Sequence, residues 1–254
     1  MLRRMLNGLG KRLARYPSQP SKNYEPLSTH GFERLVKVLR PGDVVLVEGN
    51  RRISTAIKFL THSTWSHAAL YVDSALGSGN GGNNAAVSIE ADLERGVIAV
   101  PLEKYAGLHT RICRPVGLTE LDRRRVIDFA VSRLGEIYDL KNVIDLMRYL
   151  LPTPWVPMHW RRRMLALGSG DPTRVICSTL IALAFQSVRY PILPQVTDCA
   201  FTGDTQHRNG WVTEIMHIRD SSLYAPRDFD LSPFFQIIKP TLESGFDYRA
   251  AVWA

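Results

Sequence analysis

Apolar positions in this chain gather in short, dense runs rather than long stripes. Val44-Val45-Leu46-Val47 follows the turn signal Arg40-Pro41-Gly42-Asp43, which predicts a strand buried on both faces. Four more runs predict strands: Ala68 to Val72, Ala86 to Ala91, Val97 to Val100 and Thr110 to Pro115. Short strands divided by turns predict an antiparallel sheet or small barrel.

A helical period governs other segments. Ile53, Ile57 and Leu60 predict a helix over 53–60, and Gly31 to Leu39 predicts a short helix or an extended lead-in. Leu118 to Leu134 predicts a longer helix, with Thr119 as N-cap, Asp122 three residues on, and Gly135 as its stop. Tyr138 to Leu150 predicts another. Cys177 to Val188 predicts an apolar helix burying Leu180, Ile181, Ala184, Phe185 and Val188. Trp211 to Ile218 reads as a helical turn or strand, and the chain from Pro226 as a tail draped over the body. The expected class is therefore α+β, a small antiparallel sheet or barrel packed against helices.

The organisation follows from where this patterning stops. Residues 1–24 form a basic amphipathic helix and linker, 25–230 the main domain, and 231–254 a C-terminal tail packed on it. A Gly/Asn-rich loop at 77–84 lacks the lysine and context of a phosphate loop and reads as a flexible insertion. Residues 151–173 break the pattern with prolines, Trp155, Trp160 and three consecutive arginines.

Composition adds little except at one end. Hydrophobic residues are 45% and charged residues 22%, the ordinary globular range. Much of the formal net charge of +8 sits in the first sixteen residues, where Arg3, Arg4, Lys11, Arg12 and Arg15 oppose Leu2, Met5, Leu6, Leu9 and Leu13. That is the pattern of a helix lying on an anionic membrane, where each cation contributes about 1 kcal/mol. A frayed, solvated terminus is the alternative. The basic balance lacks any nucleic-acid motif, so no nucleic-acid partner is expected. No apolar run is long enough to span a membrane, and the N-terminus lacks a signal peptide's apolar core. The expected location is cytoplasmic, with peripheral attachment to the inner membrane through residues 1–16.

Three cysteines without a C-x-x-C spacing argue against a disulfide framework or structural zinc. Cys177 differs from Cys113 and Cys199 because it opens a helix, where N–H groups and the dipole favour a thiolate. Its alternative is a small buried apolar residue. His67, where a polar turn meets an apolar strand, can take a thiol proton and return it; otherwise it is a half-buried imidazole on a backbone carbonyl. Glu90, on the following strand, can orient that imidazole, or else faces solvent. Trp65 and Ser178, adjacent to this set, are candidate substrate contacts. Cys113 and Cys199 read as structural and His62 as a solvated turn residue. No third ligand accompanies the two nearby histidines, so no metal or cofactor is expected.

These residues occur in an ordered series. Leu39-Arg40-Pro41-Gly42-Asp43-Val44-Val45 comes first, then Ser66-His67-Ala68-Ala69-Leu70-Tyr71-Val72, then Ile89-Glu90-Ala91. Leu134-Gly135-Glu136-Ile137-Tyr138-Asp139 and Ile176-Cys177-Ser178-Thr179-Leu180 complete it. Over about residues 38–190 the series resembles the circularly permuted papain-like amidases, the YiiX/YebB-like branch of the NlpC-type cysteine hydrolases. Histidine precedes cysteine, the permuted order. The resemblance implies a permuted papain-like fold, catalytic Cys177, base His67, orienting Glu90, and Tyr138 lining the site as oxyanion donor or substrate wall. It implies cleavage of an amide or ester through an acyl-cysteine, by hydrolysis or acyl transfer, on a small-molecule, lipid or peptide substrate. With the basic helix and tryptophans it points to a lipid or lipid-linked substrate at a membrane surface. A cell-wall peptide amidase, and a non-catalytic membrane-binding module on the same scaffold, are the alternatives.

Overall fold

The computed structural model describes residues 31–73, 87–92, 95–137, 176–198, 214–247 and 249. The basic helix at 1–16, the loop at 77–84, the helix from Tyr138, the insertion at 151–173 and Cys199 lie outside these residues.

The chain opens with α1 (Phe32–Val38) and the turn at Arg40–Asp43, then enters β1 (Val44–Val47). Asp43 ties that turn to the sheet. Its carboxylate accepts the Arg40 N–H at 2.8 Å and two bonds from Arg114 at 2.9 and 2.7 Å. Next come α2 (Arg52–Thr61), β2 (His67–Tyr71), β3 (Val87–Asp92) and β4 (Gly96–Pro101). A 3₁₀ turn at Leu102–Tyr105 leads to β5 (Thr110–Pro115) and α3 (Glu120–Ser132). After α4 (Ile176–Ser187), β6 (Gln195–Asp198) and β7 (Glu214–His217) pair as a separate ribbon. A 3₁₀ turn at Ser221–Leu223, α5 (Pro226–Leu231), β8 (Phe235–Ile238) and α6 (Pro240–Glu243) complete the described elements.

Six strands form one open antiparallel sheet in the order β4-β3-β2-β1-β5-β8. The unbroken apolar runs have a structural cause: both faces of the sheet are covered. Val44 and Leu46 join Ala68, Leu70, Ile89 and Cys113 in a core with Val126 and Ala130 of α3 and Leu180, Ile181 and Phe185 of α4. The alternate residues Val45, Val47, Ala69, Tyr71 and Ile112 meet Leu35 of α1 and Leu102 and Tyr105 of the first 3₁₀ turn. The helix predicted over 118–134 spans Glu120–Ser132, and Thr119 caps it by accepting the Asp122 N–H at 3.1 Å.

The segment expected as a C-terminal tail goes further than packing on the surface. β8 pairs with β5 from Ile112↔Ile238 to Pro115↔Phe235. Phe235 meets Phe185, Tyr190 and Phe229 edge-on, with ring centroids 5.2 to 5.6 Å apart. The strand signal there is only four residues long and flanked by Pro233 and Pro240, too short for alternation to declare itself.

Gly96 makes one closure possible. It adopts φ +74°, and a Cβ there would sit 2.0 Å from the Glu136 carbonyl oxygen. The chain after α3 thereby lies against β4, with the Val97 N–H on Glu136 and the Gly135 N–H on Val97, both at 2.9 Å.

Candidate active site

His67 is the first residue of β2, and its position is clamped from β1. Ser66 donates its N–H to the Val47 carbonyl at 3.2 Å, and its hydroxyl accepts the Gly49 N–H at 2.9 Å. Glycine at 49 leaves room for this approach, since a Cβ would lie 2.3 Å from Ser54 Oγ and 3.0 Å from Ser66 Oγ. Strand alternation then decides which residues share a face. Ile89 and Ala91 point into the helix-covered core, so Glu90 between them emerges on the other face. The carboxylate is 1% exposed and meets His67 Nε2 at 2.8 Å.

Two more groups hold Glu90, both from the 3₁₀ turn after β4. Lys104 Nζ donates to Oε1, and the Tyr105 hydroxyl donates to Oε2, the oxygen that also serves His67. Sequence reasoning missed both. Leu102 and Tyr105 at a spacing of three after Pro101 hint at a turn, but nothing in their order points to Glu90.

The thiol arrives from the opposite side. Cys177 is the second residue of α4, which packs on β2 and β3. Its side chain is buried and electrostatically coupled to His67. The Ala68 N–H donates to the sulfur, and Ser178 Oγ lies 4.0 Å from it. Since Nε2 is committed to Glu90, Nδ1 is the imidazole nitrogen left for the thiol.

The electrostatics of the three groups interlock. Burial alone would push the Cys177 thiol up, but the His67 cation, its hydrogen bond, the Ala68 N–H and the Ser178 hydroxyl hold it below the ordinary cysteine value. Burial would likewise lower His67; the Cys177 thiolate and then Glu90 outweigh it and raise the imidazole to about 10. Burial would raise Glu90, yet the His67 hydrogen bond and charge, with Lys104, hold it far below the carboxylate range. Each of the two charges favours the other, so the surroundings lean toward a thiolate beside an imidazolium.

The remaining expected site residues fall in different places. Ser178 is fully buried beside the thiol. Trp65 is buried two residues before His67, with Nε1 donating to Asp230 Oδ2 at 3.0 Å and Arg111 over its ring at 4.9 Å. Tyr138 lies outside the described residues. Cys113 is buried in the sheet core, where burial pushes its thiol up, away from reactivity. His62 is exposed at the left-handed C-cap of α2. Among the described residues, no group of three or more His, Cys, Asp or Glu side chains is placed to hold a metal ion. No helix among them is long and apolar enough to cross a membrane.

With the site in place, comparison identifies its kin. Residues 38–149 match the family model of the permuted papain-like amidase enzymes, YaeF/YiiX, C92 family. This segment is similar to the permuted papain-like amidases. It contains His67 and Glu90 and ends before Cys177, which the fold supplies from α4. A thiol hydrolase or amidase kind of function follows from the family. Among solved structures, the metalloprotein yiiX from Escherichia coli O157:H7 is similar at 16% identity and a TM-score of 0.44, over 85% of this chain and 98% of that one. No curated protein matches.

Proposed function

We propose that this protein cleaves an amide or ester through an acyl-Cys177 intermediate, with His67 as base and acid and Glu90 as its orienting partner. The observation that carries the reading is the His67–Glu90 bond at 2.8 Å, with the Cys177 thiol of α4 electrostatically coupled to the same imidazole. In the first step the Cys177 thiolate attacks the carbonyl carbon. The negative charge moves to oxygen, where N–H groups of the first turn of α4, which lack intrahelical acceptors, can receive it. The tetrahedral species collapses and the bond to the leaving group breaks. His67 gives its proton to the departing amine or alcohol, leaving a thioester. Water then loses a proton to His67 and attacks the thioester, releasing the acid and restoring the thiolate; an alcohol or amine in place of water gives acyl transfer. Glu90 keeps Nδ1 aimed at sulfur throughout.

In this reading Ser178 steadies the thiolate and Tyr138 adds a second oxyanion donor. Trp65, whose N–H is already given to Asp230, supports the turn that carries His67. The substrate is a lipid or lipid-linked amide or ester at a membrane surface, a choice that rests on the cationic and leucine faces of residues 1–16.

Intact-mass analysis after exposure to a panel of lipids and cell-wall peptides tests the chemistry. An acyl adduct on Cys177, absent in Cys177→Ala and slowed in His67→Ala, is expected. An adduct elsewhere, or one indifferent to His67, sinks it. Flotation with anionic vesicles tests the surface: deleting residues 1–16 should abolish binding, and undiminished binding removes the membrane assignment.

A further inference from the structure

Four side chains in the described site carry charge in alternating order: Cys177, His67, Glu90 and Lys104. The catalytic proposal uses only the first three. Glu90 is almost fully buried, and such a carboxylate is tolerated when its lone pairs are filled and its charge is matched. His67 and the Tyr105 hydroxyl fill Oε2, and Lys104 fills Oε1. As a thiolate–imidazolium pair beside a carboxylate, the first three groups sum to one negative charge. Lys104, itself reached by solvent, brings the total to zero.

We propose that Lys104 is a positioning residue of the proposed reaction, acting through Glu90, and that it sets the pH range over which the thiolate–imidazolium pair exists. This rests on the Cys177–His67–Glu90 reading. The groups bearing on the pair are His67 from β2, Glu90 from β3, Lys104 and Tyr105 from the 3₁₀ turn, and Cys177 with Ser178 from α4. Asp92 lies next along β3, with Arg51 at 4.0 Å and Arg95 at 3.9 Å. Lys104 and Asp92 are not equivalent, because Lys104 bonds directly to the carboxylate that bonds His67.

The sign is set by Coulomb's law. A cation favours loss of a proton from every neighbour, so removing it raises both the pH at which the thiolate appears and the pH at which the imidazolium is lost. The whole range moves up. A merely structural lysine would lower the rate without moving either edge. Lys104 also keeps Glu90 from taking a proton during the steps in which His67 is neutral, when the largest cause of its ionisation is gone.

The test is alkylation of Cys177 by iodoacetate, followed site by site with mass spectrometry across pH. The anionic reagent reacts fast only while thiolate and imidazolium coexist, so the wild-type rate rises and falls with pH. Lys104→Met, which keeps the aliphatic stem, should move both edges up by about one pH unit. Lys104→Gln should do the same, and Lys104→Arg should restore the wild-type edges. Edges that stay in place in both neutral variants overturn the proposal. If the wild-type rate shows no such range, or His67→Ala retains it, the Cys177–His67–Glu90 reading falls and takes this one with it. The two failures are thus distinguishable, and neither needs the natural substrate.

Discussion

Among the described residues, two constellations share the same composition, and they differ in burial and in what lies beyond the imidazole. In the first, Glu90 joins His67 at one carboxylate oxygen and Lys104 at the other. In the second, just past the end of β1, Glu48 joins His109 Nδ1 at 3.1 Å through one oxygen and Lys58 at 3.3 Å through the other. Both histidine side chains are 24% exposed. The difference lies on either side of the imidazole. Glu90 is 1% exposed and has Tyr105 as a further donor, whereas Glu48 is 12% exposed and its bonds are longer. On the far side, His67 meets a thiol at a helix N-terminus, while His109 meets the Trp65 ring at a centroid distance of 4.9 Å. A His–Glu–Lys set is therefore no signature of catalysis. Burial of the carboxylate makes its charge count, and sulfur at the leading turn of α4 gives the imidazole something to activate.

The largest test of that contrast exchanges the histidines one at a time. Without His67 the buried thiol loses its main stabilising charge, and burial then pushes it up. At pH 6.5 its alkylation by neutral iodoacetamide should fall about 100-fold in His67→Ala. His109→Ala should stay within about twofold of wild type, because no bond links it to the sulfur. Equal losses would erase the distinction between the two constellations.

A second test reads the first constellation from its histidine. The Cys177 charge and hydrogen bond are the largest influences raising His67, ahead of Glu90. Cys177→Ser should therefore bring the His67 titration, followed by NMR of the imidazole C2 proton, down by more than one unit from about 10. Stability follows the same sign. A histidine raised on folding contributes fully below its unfolded value of about 6.5 and loses that contribution as pH climbs through the folded value. In wild type the loss should extend to about pH 10, and in Cys177→Ser it should be complete earlier. Urea denaturation at a series of pH values measures it. Coincident curves would mean the sulfur does not hold the imidazolium.

Next in size is Glu90→Gln, in which a negative charge disappears beside the pair. Every neighbouring proton then leaves more easily, so both edges of iodoacetate reactivity should move down by about one pH unit, opposite to the effect of removing Lys104. An upward or absent shift would separate Glu90 from His67 in solution despite their 2.8 Å contact.

How much of this contrast can be read from the chain depends on which signals are local. The strands at Val44–Val47 and His67–Tyr71 coincide with apolar runs, because burial on both faces writes itself directly into consecutive residues. Cys177 and His67 stand out because a helix start and a strand start are local features with recognisable chemistry. Lys104 and Tyr105 do not, since their partnership with Glu90 arises when a turn after β4 folds over the sheet. The Glu48–His109 pair is hidden for the same reason: 61 residues separate its members, and only the pairing of β1 with β5 brings them together. β8 escaped notice because a four-residue strand between prolines carries too few alternations to show a period.

The smallest expected effect is the one that most sharpens the contrast. Glu48→Gln keeps the shape of the side chain and removes only its charge. His109 and Lys58 each lose a charged acceptor, and the amide leaves one neutral acceptor oxygen between them. Both bonds lie at the strand ends and are partly reached by water, so the change should cost about 1 kcal/mol of stability. Measured by denaturant midpoint, that is a small displacement with an unchanged slope. The edges of Cys177 reactivity should stay where they are, because the charge removed is bonded to neither sulfur nor the His67 ring. The same substitution at Glu90 should move those edges, although both carboxylates join a histidine and a lysine. If Glu48→Gln shifted them as far as Glu90→Gln does, the site would be sensing charge throughout this end of the sheet, and the buried carboxylate of β3 would lose its special standing.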